Sequence, residues 1–456
     1  MGAPSAIDQM QRVLESRCIV TDPAELLVYE SDGFTIARAR PAAVVFPLST
    51  EQIAKVVRIL AGEGVQIVPR GSGTGLTGGC VAFENARNQH TALDDALAAL
   101  PGGSAWHFAP DPSSQRASTI GGNAAANAGG IHTLKDFVSS NHVLGIEIVL
   151  ADGSVARIGA SDGCHESPPL DLPGLVCGSE GTLGIISTLW VRLTPKPTAF
   201  RNIVGIFATQ ADACRAISDI IAAGHLPAAM EMLDGRMVQV IEDAYHFGFA
   251  RDAAALVLTE LDGVEDLLDE QMRQVIEVFR RHNPISVESS ADPERRAALW
   301  KARKSAFGAI GKISRSYCTQ DACVPRSMLA DVLAEIGRIG RRYGLTMPNV
   351  FHAGDGNVHP IFLYDDRDEN QVQNTLAAAE QILRYCIDVG GTLSGEHGVG
   401  VEKIHLMPYQ FDRATMQQFH RVKAAFDPGE QLNAGKLLPS EEVRVTLLKP
   451  GRQAPQ

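Results

Sequence analysis

The sequence predicts an α+β chain of two domains plus a returning terminal segment, on three observations. Its 456 residues exceed what one hydrophobic core fills, at about 150 residues per domain. Up to about Pro197, short apolar runs with strand period alternate with glycine-rich turns, whereas from Thr198 to about Pro428 longer helical periods alternate with strands. FDPGEQLNAGKLLP then returns to a texture of glycine, asparagine and proline. The expected division is 1–197, 198–428 and 429–456, with the last segment folding back onto the first domain.

In the first domain AAVVFP, VQIVP, LGIEIVLAD and GIISTLWVRL read as strands, and TEQIAKVVRILAG as a helix with Thr50 as cap and Gly62 as stop. In the second, QADACRAISDIIAAG, ERRAALWKARKSAFGAI and NQVQNTLAAAEQILRYCIDVGG read as helices, and AALVLTEL and TMPNVFHA as strands.

Hydrophobic residues at 45% and charged residues at 21% exclude wholesale disorder. The formal charge of −12 argues against a phosphate-binding face for nucleic acid. No stretch approaches the roughly 18 apolar residues of a membrane span, and the first residues lack a signal-peptide pattern, so a cytoplasmic protein with at most peripheral membrane contact is expected. The cysteines at 18, 80, 164, 177, 214, 318, 323 and 386 form no CxxC spacing, and reduced thiols are expected rather than a zinc ribbon or iron–sulfur cluster.

PRGSGTGLTGG, Pro69 to Gly79, follows a short strand. Glycine-rich backbone of this kind can present several N–H groups to a phosphate with no Cβ in the way. Its spacing fits neither a Rossmann fingerprint nor a Walker loop. Two further patches of small residues, DPSSQRASTIGGNAAANAGG (Asp111 to Gly130) and CGSEGTLGIIS (Cys177 to Ser187), extend the donor surface to the length of a dinucleotide.

PNVFHAGDGNVHPIF reads as a hairpin with Asp355-Gly356 as its turn, which pairs His352 directly with His359. Two cross-strand imidazoles can converge on a cation, and equally suit a hydrogen-bonded surface pair. GTLSGEHGVG offers Glu396 as a third ligand beside His397; two nitrogens and a carboxylate suit zinc, and also iron, cobalt or manganese. Arg303 lies on a semi-apolar helix face, where its guanidinium could hold a carboxylate or simply be solvated.

Taken together, PRGSGTGLTGG, APDPSSQRASTIGGNAAANAGG, LGIEIVLADGS, GSEGTLGIIS, HAGDGNVHP and SGEHGVG resemble the flavoprotein family that includes vanillyl-alcohol oxidase. Within it, the likeness is to D-2-hydroxyacid dehydrogenases such as the D subunit of bacterial glycolate oxidase and the D-lactate dehydrogenases. The resemblance spans nearly the whole chain. It implies an FAD-binding domain of the vanillyl-alcohol oxidase type followed by an α+β substrate domain. The stretch between Gly79 and Phe108 is short for the family, so the second lobe of the FAD domain is expected to be reduced.

By that resemblance, Arg70, Gly71, Ser72, Gly73, Thr74, Gly75, Thr77, Gly78 and Gly79 wrap the FAD pyrophosphate. Asp111, Pro112, Ser113, Ser114, Gly121, Gly122 and Asn123 lie along the cofactor, with Ile185, Ile186 and Asn433 also contributing. The first loop has no histidine, so FAD is expected to bind non-covalently. His352, His359 and Glu396 become the ligands of one divalent metal, zinc by preference; His397 becomes the base facing the substrate, and Arg303 its carboxylate partner. Relatives specialised for hydroxyglutarate carry a further basic residue where this chain has Thr319 and Gln320, which points to a smaller acid, glycolate or D-lactate. Partner flavin and iron–sulfur subunits, and through them peripheral attachment to the inner membrane, are also implied. Two rival readings remain at this point: a metal-dependent hydrolase using the same ligands, and a non-catalytic subunit left by the shortened FAD domain.

Overall fold

A computed structural model of the chain describes residues 3–79, 89–160 and 170–439. Cys80, Cys164, residues 80–88 of the stretch after Gly79 where a reduced lobe is expected, and the tail from residue 440 lie outside the described residues. By compactness the chain divides into two units. The first takes in the described residues up to Gly129, then Val138–Pro195 and those from His397 on; the second comprises Gly130–Phe137 and Lys196–Glu396. The return to the first unit thus begins at His397, earlier than the expected 429. Residues 397–428 include the helix Arg413–Phe426, whose period resembles the second unit rather than the glycine-rich first.

In the first unit, helix α1 (Thr50–Gly62) is capped by Ser49, whose Oγ accepts the Gln52 N–H at 3.3 Å, one residue before the expected cap. Helix α2 (Ile120–Ala126) starts at Thr119, whose Oγ1 accepts the Gly122 N–H at 2.9 Å. Strands β1 (Val143–Val149), β2 (Val155–Gly159) and β3 (Ile185–Val191) form an antiparallel sheet in the order β2-β1-β3. Ile146, Ile148 and Val176 are buried beneath it with Ala124 of α2. VQIVP contributes only a bridge, Ile67 to Leu432, which joins the first glycine loop to the returning segment.

The second unit is built on a seven-stranded antiparallel sheet. In chain order its elements are β4 (Ala199–Phe207), α3 (Gln210–Ala222), β5 (Ala229–Asp234), α4 (Gly235–Tyr245), β6 (Ala255–Gly263), α5 (Glu265–Arg281), β7 (Pro284–Ser290), α6 (Pro293–Lys304), β8 (Ala322–Cys323), α7 (Leu329–Tyr343), β9 (Val350–His352), β10 (Asn357–Val358) and α8 (Glu369–Asp388). The strand order is β7-β4-β6-β5-β9-β10-β8. Both faces are covered, which explains the continuous apolar runs in the central strands. Val204, Ile206, Leu233, Leu256 and Leu258 pack with Val238 and Ile241 of α4 and Leu299 of α6. On the opposite face, Phe207 meets Phe279 of α5 with ring centroids 5.8 Å apart, and a Cβ on Gly205 would fall 3.3 Å from the Phe279 ring. ERRAALWKARKSAFGAI is broken at Ser305 into α6 and a short helix, Ala306–Ile310. Among the described residues no helix is long and apolar enough to cross a membrane, and Cys18, Cys177, Cys214, Cys318, Cys323 and Cys386 carry free thiols.

Candidate active site

The GDGN loop does not close as a two-residue turn. His352 pairs with Asn357, and Asn349 bridges Pro360, so the register differs by two residues from the expected pairing of His352 with His359. The loop tip is claimed by other bonds. Asp355 Oδ1 accepts the Asn357 N–H at 3.1 Å, and the Val324 N–H donates to Gly356 O at 2.9 Å. Gly356 has φ 83°, and a Cβ there would lie 2.2 Å from Val324 O, so only glycine fits. A slip of two residues keeps every side chain on its face, where a slip of one would reverse it. His352 and His359 therefore remain on one face, diagonally placed, with ring centroids 5.2 Å apart and planes at 85°. Both are buried.

Glu396 reaches the pair from the loop after α8. His352 Nε2 lies 3.3 Å and His359 Nε2 3.4 Å from Glu396 Oε1, and the three ligand atoms lie within 4.8 Å of one another. Tetrahedral bonds of about 2.1 Å put ligand atoms about 3.4 Å apart, so this donor set fits one divalent cation. The loop is shaped by Asp321, a fully buried carboxylate that accepts Ser394 Oγ–H at 2.7 Å and the N–H groups of Gly395 and Glu396 at about 3.0 Å. A Cβ on Gly395 would strike the Asn357 side chain at 2.5 Å. Beside this loop, burial and then the Asp355, Asp321 and Glu396 charges push the Cys323 thiol up to about 12.

Behind the histidines stands Glu231 of β5, fully buried and the cross-strand partner of His352. Its Oε1 lies 2.6 Å from His352 Nδ1, and its Oε2 accepts the Arg303 Nε–H at 2.6 Å. Burial opposes charge on Glu231, but Arg303 and His352 outweigh it and hold its pKa below the usual range. Burial likewise opposes charge on His352, and the Glu231 and Glu396 carboxylates overcome it, raising that imidazole well above its ordinary value. Arg303 is 3% exposed, not a solvated arginine. Its terminal nitrogens make no hydrogen bond among the described residues.

Sequence reasoning missed Glu231 and Asp321. The available signal was a lone acid inside the otherwise apolar run AMEML, a placement that costs too much unless the charge is partnered.

In the first unit the expected cofactor residues come together from four stretches. A Cβ on Gly71 would lie 2.3 Å from Thr119 Oγ1 at the start of α2, and one on Gly121 would meet Ile186 at 3.9 Å. Gly73 and Gly78 take φ 72° and 76°, and a Cβ on Gly73 would fall 2.0 Å from the Arg70 guanidinium. Asn433 Nδ2 donates to Gly79 O at 3.1 Å and to Glu180 O. Asp111, Pro112, Ser113 and Ser114 form the turn before α2, where the Ser118 N–H donates to Ser114 O at 2.8 Å. Ser72 Oγ and Asn433 Oδ1 are shielded and make no protein hydrogen bond among the described residues. Glycine backbone flanked by such unspent polar atoms fits an elongated phosphate-bearing cofactor.

His397 belongs to this unit, and its carbonyl accepts the Thr77 hydroxyl at 3.4 Å. Sequence reasoning also missed Glu180, whose carboxylate accepts the N–H groups of Val399 and Gly400.

Comparison with known proteins decides the family. A profile described as FAD linked oxidases, C-terminal domain, matches residues 196–437, and one described as FAD binding domain matches 41–94 and 91–159. The chain belongs to the FAD-linked oxidases.

It is 39% identical over 437 residues to glycolate oxidase subunit GlcD of Escherichia coli (strain K12), covering 91% of this chain and 87% of that one. To GlcD of Bacillus subtilis (strain 168) it is 34% identical, covering 90% and 92%. To a probable mitochondrial D-lactate dehydrogenase of Danio rerio it is 28% identical, covering 89% and 86%. Among solved structures, 4-ethylphenol oxidase from Gulosibacter chungangensis superposes with a TM-score of 0.77 at 18% identity, covering 97% and 98%. p-Cresol methylhydroxylase does so with a TM-score of 0.77 at 15% identity, covering 96% and 97%. These last two show the fold, which is of the vanillyl-alcohol oxidase type. This FAD-linked oxidoreductase gives no support to the hydrolase or non-catalytic readings. The two FAD-domain matches meet at residues 91–94, within the stretch between Gly79 and Phe108 where a reduced lobe is expected.

Proposed function

We propose that this chain oxidises a small D-2-hydroxy acid, glycolate or D-lactate, to the 2-oxo acid. The first unit holds FAD non-covalently through its glycine loops, and His352, His359 and Glu396 hold one divalent cation, zinc by preference. The observation that carries the reading is the convergence of those ligands on one sheet face with the Glu231–Arg303 pair, in a chain whose relatives are named glycolate oxidase subunit and D-lactate dehydrogenase.

Arg303, held through Nε, offers its terminal nitrogens to the substrate carboxylate and so fixes which hydrogen of Cα is presented. His397 takes the hydroxyl proton, a transfer suited to an imidazole near neutral pH. When bound, FAD would supply the two-electron acceptor for the hydride lost from Cα, and a divalent cation held by His352, His359 and Glu396 would supply a Lewis acid that makes the substrate hydroxyl easier to deprotonate. Onward electron transfer to flavin and iron–sulfur partner subunits, with peripheral membrane attachment through them from the cytoplasmic side, is part of the same proposal. It is supported by relatives that are named as subunits.

The test is dye-linked turnover of glycolate, D-lactate and L-lactate before and after chelation. Oxidation of glycolate or D-lactate but not L-lactate, lost with the chelated metal and restored by zinc, is expected. Turnover indifferent to chelation would remove the cation from the mechanism.

A further inference from the structure

We infer that Glu231 is a positioning residue that couples the two halves of the proposed site, so that one buried carboxylate sets both the cation affinity and the hold on the substrate carboxylate. The inference rests on the functional reading above. Its basis is the placement of Glu231 at the centre of the seven-stranded sheet. It is the direct cross-strand partner of His352 on β9, and Arg303 of α6 packs over the same face.

Among the described residues each carboxylate oxygen has one side-chain partner. Oε1 faces His352 Nδ1 and Oε2 receives the Arg303 Nε–H, each at 2.6 Å. With its Nδ1–H given to Glu231, His352 would keep Nε2, which lies 3.3 Å from Glu396 Oε1, as the atom that holds a cation. Imidazole ligands anchored in this way bind metal more strongly because tautomer and ring orientation are fixed in advance. The Nε anchor acts in the same manner on Arg303, leaving the two terminal nitrogens as a fork. A carboxylate has the geometry to serve both donors at once. An amide does not, because one of its two ends is itself a donor.

The test uses the full chain. Chelator-stripped parent and Glu231→Gln are titrated with Co(II), read by its ligand-field absorption, and KM is measured for whichever of glycolate or D-lactate the parent oxidises faster. Co(II) binding weaker by about 10- to 100-fold, together with a raised KM, is expected in Glu231→Gln. Arg303→Lys is expected to raise KM in the parent and to raise it less in the Glu231→Gln background, where Arg303 has already lost its anchor. Unchanged Co(II) affinity in Glu231→Gln, or effects on KM that simply add, would overturn the inference while leaving the functional reading in place. If the parent itself binds no Co(II), the cation reading fails and takes the inference with it. If Glu231→Gln does not fold, the metal-loaded, ¹⁵N-histidine-labelled parent decides: an exchange-protected Nδ1–H on His352 is expected, and its absence overturns the coupling.

Discussion

Glu180 accepts the backbone N–H of Val399 through its carboxylate at 2.6 Å, and thereby ties the third glycine patch to the segment that begins with His397. The second oxygen takes the Gly400 N–H at 2.8 Å, and a Cβ on Gly398 would fall 2.5 Å from the same carboxylate. Glu180 sits at φ 52°, a left-handed conformation disfavoured for a residue with a side chain, held here by the bonds around it. Burial raises its pKa against the pull of the two N–H donors.

Glu180→Ala strands two buried N–H groups at about 1–3 kcal/mol each. Loosening the His397 segment is expected to lower kcat on the order of 10- to 100-fold with a smaller change in KM. Denaturant midpoints and steady-state kinetics check this; an unchanged kcat would remove Glu180 from the support of His397.

His359→Ala removes one of three proposed cation ligands. Metal content after dialysis and turnover are expected to fall together, to a small fraction of the parent's. Metal analysis that finds the parent's stoichiometry in the variant would dismiss the ligand assignment.

Arg303→Lys keeps a positive charge beside Glu231 but gives up the planar fork. KM for the 2-hydroxy acid is expected to rise about tenfold or more, while thermal stability falls less than in Arg303→Ala, which strands the buried Glu231 carboxylate. Initial-rate kinetics over a wide substrate range decide it, and an unaltered KM would exclude Arg303 from carboxylate binding.

Glu260 provides the pH test of the second unit. Burial alone would raise its pKa, yet His132, Arg296 and Asn202, which converge on it as Trp300 also does, bring it down to about 2. A folded-state pKa below the ordinary 4.5 means the stabilisation is complete above about 4.5 and is lost as the pH falls from there towards 2. The displacement is worth on the order of 3 kcal/mol. Glu260→Gln is expected to be less stable than the parent at neutral pH and to lose less on acidification over that interval. Urea midpoints at pH 7 and pH 3 measure it; parallel losses in both proteins would show that Glu260 titrates normally.

The glycine loops and the histidine ribbon were legible because their chemistry is local: free backbone donors need glycines, and a ribbon needs a turn. Even there, Asp355-Gly356 suggested a two-residue turn, and the bond from Val324 to Gly356 imposed a wider one. His352 and His359 still share a face because the displacement was by two residues, which preserves it. Glu231 was not legible, since its bond to His352 spans 121 residues and depends on the strand order β5-β9. Asp321 and Glu180 were hidden for the same reason: each meets its backbone partners across long stretches of chain. Arg303 could be placed on a helix from sequence, but its burial against β5 could not.

The most direct test of the central claim is the visible absorption spectrum of the purified chain supplied with FAD, taken without oxygen before and after addition of glycolate or D-lactate. Bound-flavin bands that bleach on addition of one of these acids, and stay unbleached in a His397→Ala variant that still binds FAD, are predicted. Flavin that binds but is not bleached by either acid would contradict the assigned substrate class.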